Sequence, residues 1–100
     1  MKILLVCAAG MSTSLLVNKM NEYADSIGKE VEIFALPIAE ASSVANEVDI
    51  VLLGPQVRYQ KSQVESFIPK GVPIEVIDMR NYGTMNGKAV FERALELIGA

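Results

Sequence analysis

Four short apolar runs recur along the 100-residue chain, separated by longer segments that mix apolar and polar residues. The runs cover residues 2–7, 31–36, 50–53 and 74–77. Strands that are buried on both faces of a sheet read as unbroken apolar runs of this length. The pattern therefore predicts four buried β-strands.

Each run is followed by a segment whose apolar residues stand three or four positions apart, which is the spacing of one face of a helix. The pattern predicts a helix after every strand, so strands and helices alternate along the chain. The apolar positions are Leu16, Met20, Tyr23, Ala24 and Ile27, then Ile38, Ala41, Ala45 and Val48, then Val57, Val64, Phe67 and Ile68, and finally Val90, Phe91, Ala94, Leu95 and Ile98.

Residues at the borders of these segments suit the ends of helices. Ser12, Thr13 or Ser14 can cap the first helix, and Gly28 stands where a left-handed residue would end it. Buried strands that alternate with helices predict a parallel sheet covered by helices on either side. We expect an α/β fold with a single domain over residues 1–100, doubly wound by right-handed crossovers, with four strands in the order 2-1-3-4.

Composition and charge exclude several classes of function. The 9 basic and 12 acidic side chains are scattered and give a net charge of -3, so we expect no nucleic-acid partner. With one cysteine and no histidine we expect no metal site, and without a glycine-rich nucleotide motif we expect no cofactor. The apolar stretch over residues 3–9 is too short to span a bilayer, so we expect a cytoplasmic protein without direct membrane insertion.

The single cysteine, Cys7, ends the first predicted strand. Ligands of doubly wound sheets bind outside the carboxyl ends of the strands, where the strand order reverses, and the first strand borders that point. Gly54, Gln56 and Asp78 follow later strands and should lie along the same edge. A lone cysteine is commonly an ordinary buried core residue, but this position favours a functional thiol.

Small and hydroxyl-bearing residues join the first strand to the first helix, so several backbone amides can turn towards one anion. The amino terminus of the helix adds unsatisfied N–H groups and the positive end of a dipole. The same field favours a thiolate, which is the attacking form of cysteine. The candidate phosphate-binding residues are Ala8, Ala9, Gly10, Met11, Ser12, Thr13 and Ser14.

A cysteine that ends the first strand and precedes a phosphate loop also describes low-molecular-weight tyrosine phosphatases, whose signature is C-x-x-x-x-x-R and whose fold the predicted one resembles. Here Thr13 stands in place of the arginine. Because the guanidinium is the main stabiliser of phosphoryl transfer in such a loop, we expect negligible hydrolysis of aryl phosphates. A phosphatase-like hydrolase or a relative of arsenate reductases remains the alternative function.

Three segments carry a more specific resemblance: V-C-A-A-G-M-S-T-S-L-L-V at 6–17, D-I-V-L-L-G-P-Q-V-R-Y at 49–59, and V-P-I-E-V-I-D at 72–78 with Y-G at 82–83. In this order they resemble the lactose, chitobiose and cellobiose family of IIB components of bacterial sugar phosphotransferase systems. The resemblance implies a phosphocarrier that takes a phosphoryl group from a phosphohistidine on the IIA component. It then passes the group to a sugar on the membrane IIC component, and we expect a β-linked disaccharide such as cellobiose or chitobiose.

The resemblance also assigns residues. Cys7 matches the phosphocysteine of the family, and the loop over residues 8–14 matches its phosphate-binding loop. Gln56, Arg58 and Tyr59 follow the third strand and are expected to contact a docking partner. The alternative for this segment is a polar first helical turn in which Tyr59 is half-buried. For Asp78 and Tyr82 we expect structural roles.

Overall fold

Four parallel strands form one sheet in the computed structural model, which describes residues 1–7 and 14–99. The spatial order is β2-β1-β3-β4, and every neighbouring pair is parallel. This confirms the predicted α/β fold and its strand order. The strands are β1 (Lys2–Cys7), β2 (Glu32–Pro37), β3 (Ile50–Leu53) and β4 (Ile74–Val76).

The apolar runs predict the strand bounds to within one residue. β2 lies one residue later than its run, and β4 ends at Val76 rather than at Ile77. The Ile77 N–H nevertheless donates to the carbonyl oxygen of Leu53 at 2.8 Å, so the pairing with β3 continues one residue past the end of β4.

Within the described ranges, five α-helices connect and cover the strands, together with two 3₁₀ segments at Ser42–Val44 and Pro55–Gln60. The first and last long helices are confirmed, and Gly28 follows the first with a φ of 71°, as a left-handed stop requires. The helices are α1 (Ser14–Ser26), α2 (Ile38–Ala41), α3 (Lys61–Glu65), α4 (Met79–Gly83) and α5 (Gly87–Ile98).

The second and third predicted helices are wrong in their extent, because each contains a 3₁₀ segment. After α2, the Ser43 hydroxyl donates to the carbonyl oxygen of Glu40 at 2.7 Å, a local bond that competes with a continuing helix. Before α3, Val57 leaves the helical region with φ -115° and ψ 20°. A 3₁₀ segment also brings residues three apart onto one face, so apolar spacing does not separate it from an α-helix.

Alternating side chains of β1 divide the core between two faces of the sheet. Ile3 and Leu5 pack with residues of α1 and α5 on one face. Leu4 and Val6 pack on the other face with residues of α2 and α3. Helices therefore cover both faces, as predicted.

Helices α1 and α5 also meet through polar groups and an aromatic pair. The Tyr23 hydroxyl donates to Glu92 Oε2 at 3.0 Å, and the Tyr23 ring meets Phe91 edge-on with centroids 6.0 Å apart. The hydrogen bond to Glu92 raises the pKa of Tyr23, and desolvation and the Glu92 charge act in the same direction. These contacts lie along α1 rather than at the end of β1.

The close approach of α5 to α1 requires glycine at position 87. A Cβ atom there would lie 2.5 Å from the Lys19 carbonyl carbon and 2.6 Å from the Met20 nitrogen. Both are backbone atoms, which cannot move aside as the end of a side chain can. The absent side chain of Gly87 therefore sets the distance between the two helices.

Gly87→Ala should lower the free energy of unfolding by about 1–3 kcal/mol, because the methyl group overpacks the contact between α1 and α5. Gly83→Ala is the matched control, since a Cβ there meets no described atom within 4 Å. Urea denaturation of both variants measures the difference. Equal stability of the two variants would contradict this account of the helix contact.

Candidate functional site

Segments distant in the sequence meet at the carboxyl edge of the sheet. Cys7 ends β1, Gly54 follows β3, and Asp78 lies just beyond β4. The Gly54 N–H donates to the carbonyl oxygen of Val6 at 2.9 Å, so the pairing of β1 with β3 continues up to Cys7. Cys7 therefore lies at the edge where ligands of parallel sheets bind, as predicted.

The Cys7 side chain is buried, with 7% of its surface exposed. Because successive side chains of a strand point to opposite faces, Cys7 shares the face of Ile3 and Leu5, which α1 and α5 cover. Burial is a property that Cys7 has in common with any core residue. The polar groups beside it distinguish its surroundings.

Two such groups lie against Gly54. A Cβ atom on Gly54 would stand 2.7 Å from Gln56 Oε1 and 3.6 Å from Tyr82 Cε2. Gln56 Oε1 and the Tyr82 hydroxyl are both buried, and neither has a hydrogen-bond partner in the part of the chain that the structure describes. The end of β1 thus adjoins the side chains of Gln56 and Tyr82, each of which carries a buried polar atom without a partner among the described residues.

The predicted phosphate loop falls mostly outside the described residues. Ala8, Ala9, Gly10, Met11, Ser12 and Thr13 all belong to residues 8–13. Ser14 is described, and it is the exposed first residue of α1. This helix has 13 residues and no acidic side chain in its first turn, so its own side chains leave the positive end of its dipole uncompensated.

Asp78 caps the amino terminus of α4. Its Oδ1 atom accepts hydrogen bonds from the Arg80 N–H at 2.9 Å and from the Asn81 N–H at 3.1 Å. These two bonds account for an aspartate at this position, in agreement with the structural role that we expected. Tyr82 stands one helical turn later, and 6% of its surface is exposed.

The three predicted docking residues lie in the 3₁₀ segment that follows β3. Tyr59 is 78% exposed, so the alternative in which it is half-buried is wrong. Arg58 is exposed, and its Nη1 donates to the carbonyl oxygen of Pro55 at 2.9 Å. Gln56 is partly buried and points back towards Gly54.

Large exposed apolar side chains also lie at this edge. Leu15 near the start of α1 is 50% exposed, and Met79 at the start of α4 is 65% exposed. Together with Tyr59 they form what we call the apolar rim. Sequence analysis missed Leu15 and Met79. Leu15 is an apolar residue outside the buried face of α1, to which Leu16 belongs. An apolar residue outside the helical spacing is the sequence signal that would have identified it.

The described ranges hold neither a candidate metal centre nor a candidate membrane span. Within residues 1–7 and 14–99, no three histidine, cysteine, aspartate or glutamate side chains are grouped so as to hold a metal ion. Among the helices of those same ranges, none is long and apolar enough to cross a membrane.

A family comparison decides which of the two cysteine-loop families is relevant. The model of the family described as "PTS system, Lactose/Cellobiose specific IIB subunit" matches residues 2–93. The chain belongs to this family. It is therefore a IIB component of a lactose/cellobiose-type sugar phosphotransferase system, and the resemblance inferred from its motifs is confirmed.

Individual relatives agree over nearly the whole length. The chain is 48% identical over 98 residues to the oligo-beta-mannoside-specific EIIB component of Bacillus subtilis, with 97% of this chain and 95% of the relative covered. It is 45% identical over 102 residues to the galactose-specific EIIB component of Lactococcus lactis, with 96% and 94% covered.

Solved structures of IIB components share the fold. The cellobiose-specific IIB component of Borrelia burgdorferi superposes with a TM-score of 0.82 at 45% identity, covering 99% of this chain and 92% of that one. A lactose-specific IIB domain of Streptococcus pneumoniae gives a TM-score of 0.81 at 22% identity, with 96% and 95% covered. Because its sequence is more distant, the second structure supports the shared fold and nothing further.

Asp78→Ala should lower the free energy of unfolding by about 1 kcal/mol, because two N–H groups of α4 lose their acceptor. Asp78→Asn is the control, since asparagine is as good a cap and should keep most of the stability. Thermal or urea denaturation provides the comparison. If asparagine proved as damaging as alanine, the capping role of Asp78 would be wrong.

Proposed function

We propose that this chain is a phosphocarrier that accepts a phosphoryl group on Cys7 from a phosphohistidine of a IIA component and passes it to a sugar held by a membrane IIC component. The observation that carries the proposal is the position of its single cysteine, at the carboxyl end of an interior strand in a IIB-family chain. We further propose that it acts in the cytoplasm as a single domain over residues 1–100.

Two displacements at phosphorus make up the reaction. In the first, the thiolate of Cys7 forms an S–P bond while the P–N bond to the IIA imidazole breaks, and the imidazole leaves. In the second, a sugar hydroxyl oxygen forms an O–P bond while the S–P bond breaks, and the thiolate leaves. The hydroxyl proton passes to water or to a base on the IIC component as the O–P bond forms. Departure of the thiolate returns the carrier to its starting state.

The choice of sulfur fits a chain that contains no histidine. A thiolate attacks without a neighbouring histidine base, and it later leaves without needing a proton. We assign the phosphate-binding role to the loop over residues 8–14, whose helix α1 directs the positive end of its dipole to the same edge. Thr13, in place of a phosphatase arginine, favours retention of the phosphoryl group over hydrolysis.

Partner proteins must reach Cys7 from the carboxyl edge of the sheet. The apolar rim, formed by Leu15, Tyr59 and Met79, offers exposed apolar side chains at that edge, and tyrosine and methionine are enriched in protein interfaces. We propose that the rim, with Gln56 and Arg58 beside it, contacts the IIA and IIC components in turn.

Names of the relatives guide the choice of sugar. They are described as specific for oligo-beta-mannosides, galactose and cellobiose. We propose a β-linked disaccharide such as cellobiose or chitobiose for this system.

Cys7→Ser should take up no phosphoryl group and should transfer none to sugar, because a serine hydroxyl does not ionise at neutral pH and the chain has no histidine to act as its base. The measurement is intact mass after incubation with phosphoenolpyruvate, the general phosphotransfer proteins and the IIA component. One added phosphoryl group is expected on the parent protein. Since the substitution replaces one atom by a smaller one and adds no bulk, the fold should survive. Labelling that persists in the variant would exclude Cys7 as the acceptor.

Tyr59→Ala and Met79→Ala should each raise the Kd for the IIA component about fivefold or more, because truncating a buried interface anchor typically costs above 1 kcal/mol. Ile27→Ala is the control: Ile27 is also exposed, at 41%, but it follows the other end of α1. Calorimetric titration with IIA gives the three constants. If IIA docks elsewhere on the molecule, Tyr59→Ala and Met79→Ala should bind it with the same Kd as the parent protein.

A further inference from the structure

We propose that Tyr82 and Gln56 bind the phosphoryl group while Cys7 carries it, an inference that rests on the proposed phosphocysteine function. Tyr82 is 6% exposed, and its hydroxyl is buried without a hydrogen-bond partner among the described residues. Gln56 Oε1 is in the same condition. Two buried polar atoms at one edge of the sheet therefore have no hydrogen-bond partner within residues 1–7 and 14–99.

The geometry of the strands places these atoms on the thiol's side of the sheet. Cys7 follows Ile3 and Leu5 in the alternation of β1, and Gly54 follows Leu52 in that of β3. Ile3, Leu5 and Leu52 all belong to the core on the face covered by α1 and α5, and so does Tyr82. Cys7 and Gly54 therefore turn the same face of the sheet towards Tyr82.

The distance across the sheet is also short. Val6 pairs with Leu53, and the Gly54 N–H bonds to the carbonyl oxygen of Val6 at 2.9 Å, so Gly54 is the neighbour of Cys7 on the adjacent strand. Adjacent strands lie about 4.8 Å apart. Gly54 has no side chain that could separate the Cys7 thiol from the side chains of Gln56 and Tyr82.

The chemistry of the two groups suits a phosphoryl group. A tyrosine hydroxyl is a hydrogen-bond donor, and a phosphoryl group presents acceptor oxygens. The amide of Gln56 offers its oxygen or, after a half-turn, its nitrogen at the same place, so it can also donate. A buried polar atom without a partner is unfavourable, so each one in a native protein calls for an explanation such as a catalytic role, a water molecule or a bound ion.

Gly54 is part of the same arrangement. Its φ of -60° and ψ of 147° suit any residue, so backbone conformation does not demand glycine. A methyl group would stand 2.7 Å from Gln56 Oε1, which is the movable end of a side chain. An alanine at position 54 would therefore displace the Gln56 amide while leaving the backbone unchanged.

Tyr82→Phe tests the assignment. Labelling at Cys7 should continue, but the equilibrium with phosphorylated IIA should shift about tenfold towards IIA, because one hydrogen bond to a charged group is lost. Both proteins are kept well below the Kd of their complex, so that docking does not enter the ratio. The distribution of the phosphoryl group is read by intact mass.

The free energy of unfolding provides a second readout. Loss of a structural hydroxyl would lower it, whereas loss of a phosphoryl-binding hydroxyl would not. The lost hydroxyl has no described partner, so Tyr82→Phe should be at least as stable as the parent in the unphosphorylated state. Tyr23→Phe removes the same group from the α1–α5 contact and should leave the phosphoryl equilibrium unchanged. Gly54→Ala and Gln56→Leu should shift that equilibrium in the same direction as Tyr82→Phe.

The outcomes separate this assignment from the function on which it rests. A parent protein that takes no phosphoryl group at Cys7 contradicts the proposed function and the assignment with it. A parent labelled at Cys7, together with a Tyr82→Phe protein of unchanged equilibrium, contradicts the assignment alone. A Tyr82→Phe protein that is clearly less stable and has an unchanged equilibrium shows Tyr82 to be a structural residue.

Discussion

The parallel pairing of β1 on both sides is the constraint on which the site depends. β1 pairs with β2 over its whole length and with β3 from Ile3 to Val6, and its last five residues are buried. A shift of the register by one residue would turn every side chain of the strand to the other face of the sheet. Both faces are packed, so such a shift would displace two cores at once. The side on which Cys7 lies is therefore determined by the burial of Ile3 and Leu5.

The same pairing assembles groups that are far apart along the chain. It brings Gly54 beside Cys7. Because Gly54 has no side chain, the side chains of Gln56 and Tyr82 can lie close to its backbone. Asp78 contributes indirectly, because its two capping bonds start α4 and so place Tyr82 one turn later at the edge. Gly54 and Asp78 thus affect the site indirectly, through the backbone packing and the helix start that they permit.

Sequence reasoning succeeded where burial alone determines the structure. Strands buried on both faces read as apolar runs, and their alternation with helices leaves few topologies, so the sheet and its order were predictable. It failed over residues 38–48 and 55–68, because 3₁₀ and α-helical segments share their apolar spacing. α4 was missed because five residues give too little periodicity to recognise.

The residues of the site also differ in how far the sequence predicts their positions. The place of Cys7 at the end of a strand is a local property, and the sequence predicts it. The placement of both Gln56 and Tyr82 beside Gly54 depends on the register of β3 and on the position of α4, which no local spacing encodes. The role of residues 8–13 stays a prediction, since they lie outside the described ranges.

A carrier has to hold a phosphoryl group and still release it, and the strength of the groups around Cys7 bears on that requirement. An arginine adds a full positive charge and two parallel hydrogen bonds to the phosphoryl oxygens, which stabilise the transition state of transfer to water as well as the bound group. The groups proposed here are a tyrosine hydroxyl, a glutamine amide and backbone N–H groups, all of them neutral. Such donors offset the burial of the phosphoryl charge without supplying the strong clamp of a hydrolase. On this proposal, the Tyr82 hydroxyl, which has no hydrogen-bond partner among the described residues, stays buried at a cost of about 1–3 kcal/mol until a phosphoryl group on Cys7 gives it one.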